Sequence, residues 1–323
     1  MAKKKFVAQS PNKGGGLVSD THTVKTVSGG SMILKARPLS VRKGERNYEV
    51  ADAKRRILNR LPTQDGRVRT LMLNGIQKAE AVFLRYDTRR NSSTGKLRPP
   101  EKTALARELE GVVRSTVRSA RDQVLENIEG SVKTYLIGVR RGLPNKDVLP
   151  MATINQIAKR KALQIYNQPT GKDGMNTAQR LAGVGARMEG ELTKLLDLGM
   201  LNRIKQRSKL KKSLVDSKGA NRACAAKSIS RINRTEQNRA MHSATIEAMQ
   251  AIGVNLFYWR LSASHKSYGG AEVCEVLSVS TGSDVSSVLP SDFGRTLSGL
   301  YTDSSLPDLP HPNCMCSIEP ILV

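Results

Sequence analysis

Three cysteines and one histidine near the carboxyl end of the chain have the residue types of a zinc site. They are Cys274, His311, Cys314 and Cys316. Thiolate sulfur and imidazole nitrogen are the ligands that Zn2+ takes in closed tetrahedral sites. A bound ion also supplies folding free energy that a small core lacks. We therefore predict a structural Zn2+ site, because four protein ligands leave no position open for catalysis.

The spacing of these residues leaves a second interpretation open. Cys314 and Cys316 are separated by one residue, whereas two residues separate the ligands of the usual zinc knuckle. Reduced cysteines that pack as small apolar side chains beside an exposed histidine fit the sequence equally well. Cys224 lies apart from the other cysteines in a basic segment, and we interpret it as a packing residue.

Basic side chains form the second candidate site. The chain has 53 lysines and arginines against 28 acidic residues, a net charge of +25, which favours a polyanion or an acidic protein surface as partner. Residues 201–240 alone hold twelve bases and two acids. A solvated helix face is the alternative interpretation of this stretch. The candidate residues for binding nucleic acid or an acidic partner are Lys3, Lys4, Lys5, Arg203, Lys205, Arg207, Lys209, Lys211 and Lys212.

The familiar patterns of catalytic residues do not occur in the sequence. It has no phosphate-binding loop, no Gly-x-Ser-x-Gly, no His-Glu-x-x-His and no dinucleotide-binding glycine pattern. We therefore predict a protein that is not an enzyme. The alternative is a metal-dependent, nuclease-like enzyme, because His311 and Asn313 are similar to part of a His-Asn-His nuclease motif. That alternative requires an open metal position and a further ligand such as His265 or Asp308.

Net charge and amino-acid composition divide the chain into four segments. Residues 254–323 hold three bases and seven acids, so the 50 bases and 21 acids of residues 1–253 give +29. We predict a mainly α fold, with an elongated helical body and a small C-terminal α+β strand-and-loop module. A bound zinc ion would cross-link and stabilise this module. The segments are an extended basic arm over 1–50, long amphipathic helices over 51–148, a basic helical region over 149–253 and an acidic Cys/His module over 254–323.

Apolar periodicity places the helices. Apolar residues that recur every three or four positions predict helices over 49–86, 100–142, 151–166, 177–204 and 223–252. We expect the first of these to be interrupted between Pro62 and Gly66. In the last one, Glu236 is expected to pair with Arg239 one turn on.

The composition also predicts where the protein is made. No stretch approaches the roughly eighteen consecutive apolar residues of a membrane span, so we predict no membrane contact. Four cysteines in a chain of 323 residues, without a leader-like start, argue against a secreted disulfide scaffold. We expect synthesis in the cytoplasm.

Several short motifs follow one another in order between about residue 150 and the end of the sequence. They are Ile232-x-Arg234-Thr235-Glu236, Ile252-Gly253-Val254, an aromatic strand with Trp259, Cys274-x-x-Leu277 and Pro310-His311-Pro312-Asn313-Cys314-x-Cys316. In this order they resemble the phage Mu F-like head morphogenesis family, the minor head proteins of tailed bacteriophages. Members often have a Cys-x-x-Cys pair where this chain has Ala271 and Cys274, so either His265 substitutes or the remaining four residues form the site.

The resemblance implies a structural protein of the virion. It implies few copies per phage head, made in the host cytoplasm, with the portal and/or major capsid protein as partners during head assembly. Some members of the family touch or accompany the genome, so packaged double-stranded DNA is a further candidate partner, and the sequence leaves open whether the basic surface meets DNA or protein. The +29 helical part agrees with a partner of this kind, because basic surfaces bind phosphates and acidic protein surfaces.

Overall fold

The computed structural model describes residues 21–25, 31–35, 48–169, 174–216, 224–261, 272–279, 299–306, 309 and 314–321. Over these residues the fold is mainly helical with a small antiparallel sheet near the C-terminus, which confirms the predicted fold class. Within the predicted arm, strands β1 (Thr21–Lys25) and β2 (Ser31–Lys35) form a separate antiparallel pair. Lys3, Lys4 and Lys5 lie outside the described residues.

Two long helices, α1 (Tyr48–Asp87) and α2 (Pro99–Gly142), pack side by side as the framework of the body. The 44 residues of α2 span about 66 Å at 1.5 Å per residue. Two prolines start α2, where a missing backbone N–H group costs no helical hydrogen bond. The carboxylate of Glu101 accepts a 3.1 Å hydrogen bond from the backbone N–H of Arg98 just before the helix. The buried stripe on each helix faces the other helices.

The predicted interruption of the first helix at 62–66 is wrong, because α1 continues through Pro62. A proline inside a helix costs about 3 kcal/mol or more through the lost hydrogen bond and ring clash. The apolar stripe runs unbroken across that position, with Ile57, Leu61 and Val68 all buried. Burial of this stripe outweighs the local cost.

The remaining helices of the body are α3 (Met151–Asn167), α4 (Thr177–Thr193), α5 (Met200–Leu214) and α6 (Ala225–Gln250). The sequence predicts a single helix over 177–204, whereas the chain turns between α4 and α5. The turn buries Leu195 and Leu196 and ends at Gly199, the N-cap of α5. Helix α6 contacts each of α1 to α5 and is the central helix of the body.

The C-terminal sheet has the order β4-β3-β5, with both pairs antiparallel. Strand β3 (Leu256–Arg260) is flanked by β4 (Leu300–Thr302) and β5 (Ser317–Pro320), and α7 (Glu272–Val279) packs against β3. Every residue of the three strands is buried. The inward-facing aromatics of β3 join the same apolar core as the helices. Among the described helices, none has the length and apolar character required to span a membrane.

Candidate metal centre

Three of the four predicted zinc ligands meet in one buried cluster. The Sγ atoms of Cys274, Cys314 and Cys316 all lie within 4.8 Å of one another, and those of Cys274 and Cys314 are 3.5 Å apart. Each of the three residues is at most 1% exposed. A disulfide holds its sulfurs about 2.05 Å apart, so the cysteines are free thiols. Three sulfurs that converge in this way can hold a metal ion.

Separate elements place these sulfurs. Helix α7 carries Cys274, and the segment that leads into β5 carries Cys314 and Cys316. Strand β5 is fixed in register by its pairing with β3, where Trp259 lies opposite Ile318. The pairing of β5 with β3 therefore positions Cys314 and Cys316 next to Cys274 of α7.

The protein environment keeps the thiols of Cys274 and Cys314 protonated when no metal is bound. Hydrogen bonds with Cys314 and Cys316, followed by burial, hold the pKa of Cys274 well above its usual range. The hydrogen bond with Cys274 lowers the pKa of Cys314, but hydrogen bonding with Cys316 and burial outweigh it and raise that pKa. A metal ion must therefore displace protons when it binds, since the thiolate is the ligand.

A buried hydrogen-bond chain holds the backbone next to the cluster. The carbonyl oxygen of Cys316 accepts from Nδ2 of Asn238 at 2.7 Å and lies 2.9 Å from Nε2 of His242. Both side chains come from α6. Because a carbonyl is only an acceptor, Nε2 of His242 carries the proton. Burial, followed by the charge of Lys54, lowers the pKa of His242 to about 3, so its ring is neutral.

Lys54 of α1 completes this chain. Its Nζ atom donates a 2.6 Å hydrogen bond to Oδ1 of Asn238, and the residue is 6% exposed. Burial lowers the pKa of Lys54 to about 8, while negative charge on Cys316, Cys314 and Glu319 opposes that shift. Within the described part of the chain, no carboxylate lies within salt-bridge distance of Nζ. When the thiols ionise, the cysteine cluster is the main anionic group that acts on this ammonium, and Glu319 adds a smaller effect.

Two further contacts join the C-terminal sheet to the helices near the centre. The ring of Trp259 meets the ring of His242 edge to face, with 5.4 Å between the ring centroids. The hydroxyl of Tyr135, on α2, donates a 2.5 Å hydrogen bond to the carbonyl of Ile318. These contacts join the sheet to the helical body directly beside the cysteines.

The Arg-Thr-Glu motif lies on α6 and ties that helix to α4. Glu236 is 1% exposed and binds Arg180 at 2.8 Å and Arg239 at 2.7 Å. The expected pair of Glu236 and Arg239 is confirmed. The motif thus orients the helix that presents Asn238 and His242 to the cysteine segment.

The other predicted metal-site residues fall elsewhere. His311, the proposed fourth ligand, lies outside the described residues, as do His265, Asp308 and Asn313. Cys224 is buried at the N-cap of α6, where its sulfur accepts a 3.5 Å hydrogen bond from the backbone N–H of Lys227, which agrees with a packing role.

The predicted basic residues of 203–212 form helix α5 and differ in their surroundings. Arg203 is buried, forms an ion pair with Asp87 and stacks 4.7 Å from the centre of the Phe83 ring. Arg207 pairs with Glu80 at 3.0 Å. The lysines of α5 line the outside of the helix, exposed or half-buried: Lys205, Lys209, Lys211 and Lys212.

Sequence reasoning missed the residues that support the cysteine cluster. Lys54 is separated from Asn238 by 184 positions, and lysine is rarely a buried residue, so its type gave no signal. His242 stands out in the sequence only as one of four histidines. Asn238 precedes His242 by four residues, so the two side chains share one face of α6. This spacing was the sequence feature that could have indicated a joint role.

Comparison with known proteins adds no relative to this picture. No family model, no curated protein and no solved structure matches the chain. The mainly helical fold and the buried cysteine cluster are accordingly established from the chain's own geometry.

Proposed function

We propose that the protein is a structural minor head protein of a tailed bacteriophage, located in the virion and bound to the portal or major capsid protein. One observation carries the proposal. The motifs that resemble the Mu F-like family are spread over residues 232–316, yet several of those that the structure describes lie on elements that pack around one buried centre. Helix α6, the aromatic strand β3 and the Cys274, Cys314 and Cys316 segments meet there. Motifs that pack around one centre support the resemblance to the family better than their order in the sequence alone.

We further propose that the centre holds Zn2+. Zinc–sulfur bonds of about 2.3 Å place the sulfurs of a tetrahedral site about 3.8 Å apart, and the observed 3.5 Å between the Cys274 and Cys314 sulfurs suits that geometry. His311 is the proposed fourth ligand. Bound zinc would connect α7 to the segment before β5, and so stabilise the C-terminal module.

A structural role for the metal fits the burial of the site. A catalytic zinc keeps a position open to water or substrate, whereas these three cysteines are at most 1% exposed. We therefore propose a protein that is not an enzyme. The nuclease-like alternative requires an open metal position, and the buried cluster supports it less well.

Purification from phage-producing cells tests the proposed function. A tagged copy of the chain, expressed during infection by the phage that encodes it, should co-purify with portal or major capsid protein, identified by mass spectrometry. The Cys316→Ser variant should lose this association if the metal-bound module presents the docking surface, and Cys224→Ser is its matched buried-cysteine control. Recovery of the intact chain without any head component would contradict the assignment.

A further inference from the structure

A groove runs along the C-terminal half of α6. It encloses about 370 Å³, within the roughly 300 to 1,000 Å³ of sites that hold ligands. The α6 residues that line it lie between Arg239 and Gln250, so at 1.5 Å per residue its floor is about 16 Å long. We call this feature the α6 groove.

The two walls of the α6 groove differ in chemistry. On the α3 side, Nζ of Lys161 donates a 2.8 Å hydrogen bond to the hydroxyl of Ser243. Ser243 follows Arg239 by one helical turn, so a guanidinium, a hydroxyl and an ammonium line the same side. The wall on the sheet side has three apolar side chains: Leu306, Leu309 and Ile318.

Lys161 has less negative charge around it than positive. Its carboxylate partner Glu247, at 2.9 Å, also binds Arg160. Lys161 is 7% exposed, and burial, followed by the charge of Arg160, lowers its pKa. An ammonium has three N–H donors, and Ser243 and Glu247 accept two of them. Within the described residues, the third donor is left for a ligand.

Arg239 repeats this arrangement one turn away. Its carboxylate partner Glu236 also binds Arg180, so one negative charge again faces two cations. Both recorded hydrogen bonds of Arg239 come from Nη1, and among the described residues its Nε and Nη2 groups have no acceptor. At the far end of the groove, Asp303 accepts a 2.7 Å hydrogen bond from Gln250. The four cations therefore exceed the three carboxylates by one charge.

We propose that the α6 groove binds the free C-terminal end of an extended partner peptide whose last side chains are apolar. The terminal carboxylate would bind Arg239 and Lys161, since guanidinium and ammonium groups are strong hydrogen-bond donors to carboxylates. The apolar side chains would lie against the sheet-side wall. An extended chain advances about 3.3 Å per residue, so the floor holds about five residues.

This inference deepens the proposed function, because it names the kind of segment by which a partner docks. It rests on that proposal only in assuming that the chain has a protein partner.

Other occupants fit the α6 groove less well. Inorganic phosphate suits the donors but has no apolar part to cover Leu306 and Leu309, and as a dianion it brings more charge than the groove has in excess. A nucleic-acid strand carries a phosphate at every nucleotide, although Glu247 also lines the groove. An uncharged peptide segment would leave the excess charge beside the buried Lys161 unbalanced.

Binding of short peptides to the purified full-length chain tests the inference, with fluorescence anisotropy as the readout. The probe is a labelled peptide of about five residues that ends in leucine and valine with a free carboxylate. One control peptide has the same sequence with an amidated C-terminus, and a second ends in two serines with a free carboxylate. Unlabelled probe peptide, hexanoate and inorganic phosphate serve as competitors.

We expect the probe to bind at least about tenfold more tightly than either control peptide. Lys161→Met should lose about tenfold in affinity for the probe and remove its advantage over the amidated peptide. Leu309→Ser should instead remove its advantage over the peptide that ends in serine. The matched variants Lys133→Met and Val148→Ser change exposed side chains outside the groove and should bind the probe as the unchanged chain does.

Several results would overturn the inference. Equal binding of the free and amidated peptides would show that no carboxylate is recognised, and equal binding of the two free peptides would show that charge alone is. Displacement of the probe by hexanoate or phosphate as readily as by the unlabelled peptide would assign the groove to a small anion.

Two further results would reject the α6 groove as a docking site. Unchanged affinity in both Lys161→Met and Leu309→Ser would place the peptide elsewhere, and no binding of any peptide would leave the groove without this partner. Because all components are purified, these outcomes are independent of co-purification with head proteins.

Discussion

The Nζ atom of Lys54 lies 2.6 Å from Oδ1 of Asn238, and Nδ2 of the same amide lies 2.7 Å from the carbonyl oxygen of Cys316. Two hydrogen bonds thus connect a buried ammonium on α1 to the segment that carries two candidate metal ligands. A buried cation is costly unless an opposite charge balances it. A metal bound by three thiolates would carry that opposite charge, so Lys54 and a metal held by the proposed centre would stabilise each other.

Replacing Lys54 with methionine should weaken metal binding. The substitution keeps the buried volume but removes the positive charge and the hydrogen bond to Asn238. Partners beyond the direct ligands are worth roughly ten- to a hundredfold in metal affinity, and we expect a loss in that range. Competition with a chromophoric chelator measures it. Lys161→Met is the matched control, because Lys161 is also buried but binds Ser243 and Glu247. Equal affinity in the two variants would refute a role for Lys54.

Metal affinity should rise with pH. The raised pKa values of Cys274 and Cys314 mean that both thiols are protonated in the metal-free chain near neutral pH. Binding therefore releases protons, and a reaction that releases protons becomes more favourable as their concentration falls. With two protons released, the affinity should increase up to about a hundredfold per pH unit. Chelator competition at about pH 6.5 and about pH 8.5 measures the slope. A flat profile would mean that the thiols are not the ligands.

Glu236 should be critical for stability. Its carboxylate is 1% exposed and binds both Arg180 and Arg239, so Glu236→Gln removes the negative charge from both ion pairs. Breaking a buried ion pair in this way should lower the free energy of unfolding by about 3 kcal/mol. Urea unfolding followed by the fluorescence of Trp259, the chain's single tryptophan and fully buried, provides the measurement.

The control for Glu236 lies on the same helix. Glu247 also has two basic partners, Arg160 and Lys161, but its side chain is 33% exposed. Because water screens this pair, Glu247→Gln should cost less than about 1 kcal/mol. Similar losses in the two variants would contradict the structural role assigned to the Arg-Thr-Glu motif.

Gly138 lies at a close approach of α1 and α2. A Cβ atom there would lie 2.5 Å from Cβ of Ala53 and 2.7 Å from the backbone oxygen of Glu49. Gly138→Ala should therefore destabilise the chain by about 2 kcal/mol, a typical cost of overpacking. Gly130→Ala on the same helix meets no atom within 4 Å and should stabilise the chain by about 0.5 to 1 kcal/mol. Thermal unfolding of the pair distinguishes the two signs, and a shared sign would contradict the observed packing.

The sequence predicts the elements better than their interruptions. Apolar periodicity places α2 to within a residue, because a long helix repeats its signal many times. Pro62 predicts a break that the buried stripe of α1 overrides. The turn between α4 and α5 is missed since leucines continue through it, and only their burial in the core distinguishes a turn from another helical step.

The candidate site likewise combines residues that the sequence predicts with residues whose role depends on packing. Thiol ligands are recognisable from residue type and order, so Cys274, Cys314 and Cys316 could be named in advance. Their supporting residues could not, because Lys54 and Asn238 are common surface types that acquire a role only when α1 and α6 pack beside β5. Likewise, the individual cations of the α6 groove are visible in the sequence, but the groove itself depends on how α3 and β5 lie against α6.

Metal content of the purified, reduced, full-length chain tests the central claim most directly. Elemental mass spectrometry should find about one zinc per chain, consistent with a single closed site. The Cys316→Ser variant should lose the metal, whereas Cys224→Ser should retain it, since both cysteines are buried and only Cys316 belongs to the cluster. A folded, reduced chain without zinc, or equal zinc in the two variants, would contradict the account.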